Sequence, residues 1–216
     1  MRKRWPMLFF ASLFGTFITL FGFVLGAEAL VTATNLTSGG TDASQSSYTT
    51  ASVTPSANKL ILLAVDYMGP QSNASSVAIS ASGNGLTWVE IGNVVFNSNN
   101  YRLTLFRAMG ASPASGAITV TCSGGSPWRM NWSVTEFGNV DISGINGSGA
   151  IVQSATNSTA GDGSLTVALG AFGSSSNATY GTFASTGTGN AIGPGTGFTE
   201  LTETLTGSNW DAADLQ

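Results

Sequence analysis

The 216-residue sequence contains no histidine and only one cysteine. Without histidine it cannot form a Ser-His-Asp or Cys-His catalytic site, or a histidine-based zinc site. It also lacks a G-x-S-x-G nucleophile elbow and a G-x-x-x-x-G-K-[ST] phosphate loop. The cysteine, Cys122, cannot form an intrachain disulfide. It shares a strand face with Ile118 and Val120, and we expect a small, buried apolar residue there.

Charged side chains make up only 8% of the sequence, against about a quarter in an ordinary cytoplasmic domain. Gly, Ser, Thr, Asn and Ala fill the linking stretches, which favours an extracellular surface solvated by hydroxyl and amide groups. Beyond residue 29, ten acidic side chains stand against four basic ones, and the basic ones form no cluster. We therefore predict no nucleic-acid partner, because clustered lysine and arginine bind the phosphate backbone.

The first 29 residues have the pattern of an export signal. Basic residues at 2–4 precede an uncharged apolar run over 7–27, which ends in Ala27-Glu28-Ala29. This order predicts a secretory signal peptide cleaved after Ala29. The length of the apolar run also fits an uncleaved membrane anchor. In both cases we expect Leu30 onward to lie outside the cytoplasm, secreted or at the cell surface, with membrane contact only through residues 1–29.

Short apolar runs separated by Gly, Ser and Asn turns recur through the rest of the chain, without a helical period. Asn84-Gly85 between two such runs predicts a hairpin, and the continuous run at 59–67 predicts a central strand covered on both faces. The alternation after residue 130 places Trp132 in the core and Asn131 on the surface. Strands are predicted at 30–34, 48–53, 59–67, 77–80, 86–91, 101–109, 117–122, 130–136, 164–172 and 198–205.

This spacing predicts an all-β fold, an antiparallel β-sandwich of about eight to ten strands. We divide the chain into the signal peptide or anchor at 1–29, a linker with edge strands at 30–56, and the sandwich domain at 57–216. Within the linker, residues 38–42 are predicted to form a loop. Residues 209–216 show no alternation. They are therefore predicted to be neither strand nor cap, which would leave the sandwich truncated at its C-terminus and without a closing strand.

Six segments carry a resemblance in strand order and turn chemistry, at 57–65, 83–88, 102–108, 116–121, 134–140 and 162–168. They resemble a group of jelly-roll-like β-sandwich modules in bacterial secreted proteins and phage structural proteins, largely of unknown function. The resemblance covers about 52–205 and implies a jelly-roll-like sandwich. It supplies no catalytic residues, and similar modules end in a further apolar strand that this chain lacks.

Carboxylates are the remaining catalytic candidates, because glycoside hydrolysis needs only two of them. An offset of three places Glu200 and Glu203 on opposite faces of a strand. Asp66, Glu90 and Glu136 belong to different strands and could meet at a cleft. We interpret Glu136 as a strand-end carboxylate that accepts backbone or hydroxyl hydrogen bonds. The alternative is a general acid with a raised pKa.

Trp128 and Arg129 are the predicted ligand-binding residues, because an exposed aromatic ring after Pro127 can stack on a sugar ring. We predict an exported, non-catalytic binding module, with a glycan or another surface protein as its partner. The alternative is a structural subunit of a surface or virion assembly, and a carboxylate-dependent glycoside hydrolase comes third. No cofactor or metal is predicted, since turn formation explains the oxygen-rich segments at 139–141 and 161–163.

The export pattern gives a direct prediction. The mature protein should begin at Leu30 and should be found outside the cytoplasmic membrane, because small residues occupy both positions that signal peptidase recognises. Mass spectrometry of the protein from fractionated cells measures both properties. Full-length protein confined to the cytoplasm would contradict the prediction.

Overall fold

A computed structural model describes residues 30–69, 72–159, 164–186, 191–207 and 209–215. The predicted export segment therefore lies outside the described residues. Within these ranges, no helix is long and apolar enough to span a membrane. The same ranges contain one short 3-10 turn, Ala74–Ser76, and eleven strands, so the fold is all-β as predicted.

The strands are named in chain order. The first six are β1 (Thr32–Thr41), β2 (Ser47–Thr49), β3 (Leu60–Met68), β4 (Ala78–Gly83), β5 (Val89–Phe96) and β6 (Tyr101–Ala108). The others are β7 (Ile118–Ser123), β8 (Arg129–Gly138), β9 (Tyr180–Thr186), β10 (Thr199–Thr206) and β11 (Asn209–Leu215). They form three sheets in the orders β1-β8-β3-β6-β5, β2-β7-β4 and β10-β11-β9. Each described strand pair is antiparallel.

The main core lies between the five-stranded sheet and the sheet β2-β7-β4, as in a β-sandwich. It joins alternate residues of β3, such as Leu63 and Val65, to Ile118 and Val120 of β7. Residues 60–67 of β3 are all buried, which confirms the prediction of a central strand covered on both faces. A strand of this kind has no polar alternation, because neither of its faces meets water.

The sheet β10-β11-β9 packs against the opposite face of the five-stranded sheet, near β1 and β8. The Thr202 hydroxyl of β10 donates to the Ser38 hydroxyl of β1 at 2.8 Å. Gly40 is needed at this junction, because a Cβ atom there would collide with Thr206 and Asn131. Residue 40 is thus part of a strand, and the predicted loop at 38–42 is wrong except for its last residue.

The third sheet also explains why half of the prediction for β8 is wrong. Trp132 is buried with 9% of its surface exposed, as predicted, but Asn131 is only 1% exposed. The alternation Met130–Glu136 gave the correct face for Trp132, whose ring lies against Gly39. It could not show that the polar face of β8 is covered by another sheet.

Asn84 and Gly85 have positive φ angles of 56° and 64°, as the turn prediction required. They do not close a hairpin, because β4 and β5 belong to different sheets. The Asn84 side chain instead donates to the carbonyls of Ala114 and Gly116, at 2.9 and 3.0 Å. The predicted hairpin is therefore wrong, and the turn carries the chain from one sheet of the sandwich to the other.

The predicted strands agree least with the observed ones near the C-terminus. Residues 164–172 contain no strand in the described part, although their apolar residues alternate. Strand β9 lies in a Gly/Ser/Thr-rich stretch and was not predicted. Residues 209–215 form β11, the middle strand of its sheet, so the prediction that they are not a strand is wrong. Main-chain pairing with β9 and β10 defines β11, and such pairing requires no apolar alternation.

Substitutions in β8 test this arrangement. Trp132→Ala should lower the free energy of unfolding by about 3–5 kcal/mol, since it removes a core aromatic side chain. Asn131→Ala should cost about 1–3 kcal/mol, because the side chain is a buried polar group within an interface. Urea denaturation measures both values, with Thr121→Ala on the exposed face of β7 as the control. An Asn131→Ala effect as small as that of the control would show that the third sheet does not cover β8.

Candidate functional site

The predicted ligand residues Trp128 and Arg129 lie where β8 begins. Trp128 is 51% exposed, and its backbone N–H donates to the Met68 carbonyl at 2.8 Å. Arg129 is already engaged, because its Nε donates to Asp42 at 2.8 Å and its guanidinium lies against Gly207. The exposed indole of Trp128 thus lies beside an arginine that contacts two different loops. A role for this pair in ligand binding stays a prediction.

The structure does not bring the acidic residues of the central strands together. Glu136 accepts hydrogen bonds from the Ser56 N–H at 2.6 Å and from the Ser56 hydroxyl at 3.0 Å. This confirms its interpretation as a strand-end carboxylate. Asp66 lies on the opposite face of the sheet, as its register with Asn131 shows. Glu90 is three strands from Glu136, or roughly 14 Å at the usual strand spacing. That separation exceeds the distance between paired glycosidase carboxylates.

Glu200 and Glu203 are placed differently from the prediction. A bulge between Glu200 and Thr202 shifts the register of β10, so Glu200 pairs with Asp214 and Glu203 with Ala212. Both glutamates therefore lie on the same face, which is the face turned away from the five-stranded sheet. Glu203 accepts the Ile192 N–H at 2.5 Å. The prediction of opposite faces is wrong, because an extra residue in a bulge reverses the alternation.

Cys122 is buried in the main core, as expected. Burial raises the pKa of its thiol to about 12, and the nearby positive charge of Arg102 offsets this only in part. Burial likewise raises the pKa of the hydroxyls of Tyr48 and Tyr67. These groups are protonated at neutral pH, and none of them is an activated nucleophile. Within the described ranges, no three Asp, Glu, Cys or His side chains lie close enough to hold a metal ion.

A large groove of about 1600 Å³ lies on the face of the five-stranded sheet that is turned away from β2-β7-β4. Its floor is apolar and consists of Leu60, Leu62, Val94, Phe96, Leu103, Leu105 and Phe137. Alternate residues of the strands supply this floor, because the other residues of the same strands fill the main core. Tyr180 of β9 packs edge to face against Phe137, with ring centroids 5.3 Å apart. We call this feature the outer groove.

The roof of the outer groove consists of two extended segments joined by side-chain amides. The Gln153 amide both donates to the Gly170 carbonyl and accepts the Gly170 N–H, at 3.0 and 2.9 Å. The Asn157 amide donates to the Thr166 carbonyl at 2.8 Å. These bonds take the place of a backbone ladder. The alternating residues Leu165, Val167 and Leu169 therefore line a groove, although the sequence pattern predicted a strand.

The described lining residues include one acidic residue, Asp141, and neither lysine nor arginine. The Ser143 N–H donates to Asp141 at 2.7 Å, and this bond lowers the pKa of the carboxyl group. This hydrogen bond confirms the turn interpretation of segment 139–141, whereas Asp162 lies outside the described residues. The walls consist mainly of hydroxyl and amide side chains on segments 151–159 and 174–186.

Comparison with protein-family models, with curated proteins and with solved structures gives no match for this chain. The functional interpretation therefore rests on the geometry of the site. Sequence reasoning did not find the outer groove, because its lining comes from strands distant in sequence and from irregular segments. The one local signal was the alternation of Leu165, Val167 and Leu169, which marks an apolar face without showing what that face covers.

The chemistry of Cys122 gives a prediction. In the native protein, iodoacetamide at pH 8 should leave the thiol unmodified, since a pKa of about 12 leaves roughly one thiol in 10,000 ionised. In urea the pKa returns to about 8.5 and alkylation should be rapid. Mass spectrometry over time measures both rates, and Cys122→Ser is the control for reaction at other side chains. Rapid native alkylation would contradict the burial of this residue.

Proposed function

We propose that this chain is an exported, non-catalytic binding module with a jelly-roll-like sandwich, and that its ligand lies in the outer groove. The observation that carries this proposal is a groove of about 1600 Å³ with an apolar floor and hydroxyl- and amide-rich walls. Ligand sites in proteins are typically concave and apolar, with a few polar groups that fix orientation. Pockets for compact ligands usually measure about 300–1000 Å³, so the volume favours an extended ligand.

The absence of assembled reactive groups along the described part of the groove supports binding rather than catalysis. A general acid or base needs a titratable group beside the reacting atoms, and Asp141 stands alone among the described lining residues. The low charge of the chain and its N-terminal export pattern support an extracellular location. A secreted or surface module would meet glycans and other surface proteins there.

A structural subunit of a surface or virion assembly is the second candidate. The observation in its favour is a loop on which Ile142 and Ile145 are 63% and 77% exposed. Apolar side chains clustered on a surface mark sites of protein contact. In such an assembly these residues would pack against a neighbouring subunit, and the outer groove would have no ligand of its own.

Charge placed inside the groove tests the proposal. Val94→Arg adds a guanidinium to the floor, and it should weaken ligand binding at least tenfold, because an unpaired charge would have to be desolvated. Thr121→Arg adds the same charge to an exposed position on β7 and should leave binding unchanged. Glycan and peptide arrays identify ligands, and isothermal titration calorimetry measures the affinities.

Two results would contradict the proposal. Loss of binding in Trp128→Ala, with full binding in Val94→Arg, would place the site at the exposed side chain of Trp128. Concentration-dependent assembly without any ligand, measured by light scattering and abolished by Ile145→Asp, would favour the structural subunit.

A further inference from the structure

We infer that the ligand of the outer groove is an uncharged oligosaccharide, an inference that rests on the proposed function. The four basic side chains of the described part, Lys59, Arg102, Arg107 and Arg129, all lie outside the lining. Arg102 is buried on the opposite face of its strand, where its guanidinium contacts Val77, Thr104 and Glu90.

Arg107 donates from its Nη1 to the carbonyls of Ile145 and Asn146, at 3.1 and 2.9 Å, and Arg129 pairs with Asp42. An anionic ligand would thus lose its hydration in the groove without gaining a cationic partner there, which is unfavourable. Among the described lining residues a cationic ligand would find only Asp141, and that side chain is exposed to solvent. The lining therefore selects against charge of either sign.

Aromatic residues supply apolar contact surface in the groove. Five aromatic residues line the groove: Phe96, Phe137, Phe172, Tyr180 and Phe198. Phe96 and Phe137 belong to the floor, and Tyr180 lies on the face of β9 that packs against Phe137. A sugar ring has an apolar C–H face that packs against an aromatic ring, and the aromatic side chain is fixed by only two torsions.

Many of the remaining lining residues carry hydroxyl or amide side chains. Amides such as Asn97 and Asn177, and hydroxyls such as Thr156 and Ser176, border the aromatic residues. These groups both donate and accept hydrogen bonds, as sugar hydroxyls do. A fully apolar chain, such as an acyl tail, would desolvate them without replacing their hydrogen bonds. An uncharged ligand with apolar faces and hydroxyl edges therefore fits the whole lining.

The test compares uncharged and acidic saccharides of equal length. Isothermal titration calorimetry with cellohexaose, maltohexaose and chitohexaose should show binding of at least one hexasaccharide. The Kd should not change between 50 and 500 mM NaCl, because screening acts only between charges. Hexagalacturonate should bind at least tenfold more weakly than that hexasaccharide.

Phe172→Ala is the matched variant. Phe172 lies in a segment without strand pairing, so its removal should leave the melting temperature unchanged while weakening hexasaccharide binding by roughly tenfold. Trp128→Ala, at an exposed aromatic side chain outside the groove, should bind like the wild type.

Four results would overturn the inference: no binding of any uncharged hexasaccharide, tighter binding of hexagalacturonate, a salt-dependent Kd, or unchanged affinity in Phe172→Ala. If an uncharged peptide binds and Val94→Arg abolishes that binding, the ligand class is wrong and the proposed binding function stands. If no ligand binds and the protein assembles, both proposals fail.

Discussion

The burial of β3 on both faces is the constraint on which the rest of the structure depends. The strand pairs with β6 on one side and β8 on the other, and its residues 60–67 are buried. A strand of nearly continuous apolar residues must be covered by protein on both faces. The five-stranded sheet around it therefore needs two covering layers, and the chain supplies them in different ways.

One layer is the sheet β2-β7-β4, which closes a dry core of apolar side chains, including Cys122. Arg102 lies at the edge of this core, where it donates a hydrogen bond to the Val77 carbonyl and forms a salt bridge with Glu90. A buried guanidinium is tolerated only with such partners. This side of the sheet is thus filled by the side chains of the main core.

The other layer consists of a sheet and an irregular segment. Near β1 and β8 it is the sheet β10-β11-β9, with hydroxyl and amide side chains such as Ser38, Asn131 and Thr202 between the sheets. Near β5 and β6 it is an irregular segment held by the amides of Gln153 and Asn157. These amides, in place of a backbone ladder, join residues 153–157 to residues 166–170. These two segments cover the apolar floor without filling the space above it, and this space is the outer groove.

Local sequence patterns predicted the all-β class, the central position of β3, the burial of Trp132 and Cys122, and the hydrogen-bonding interpretation of Glu136. Each of these depends on local alternation or on the chemistry of one side chain. The tertiary structure was needed to show that Asn131 is buried, that Asn84-Gly85 joins two sheets, that 164–172 covers the outer groove and that 209–215 is a strand. It also decided the position of the groove. These features depend on which segments meet in space, and a local pattern shows that a face is apolar or polar but not what covers it.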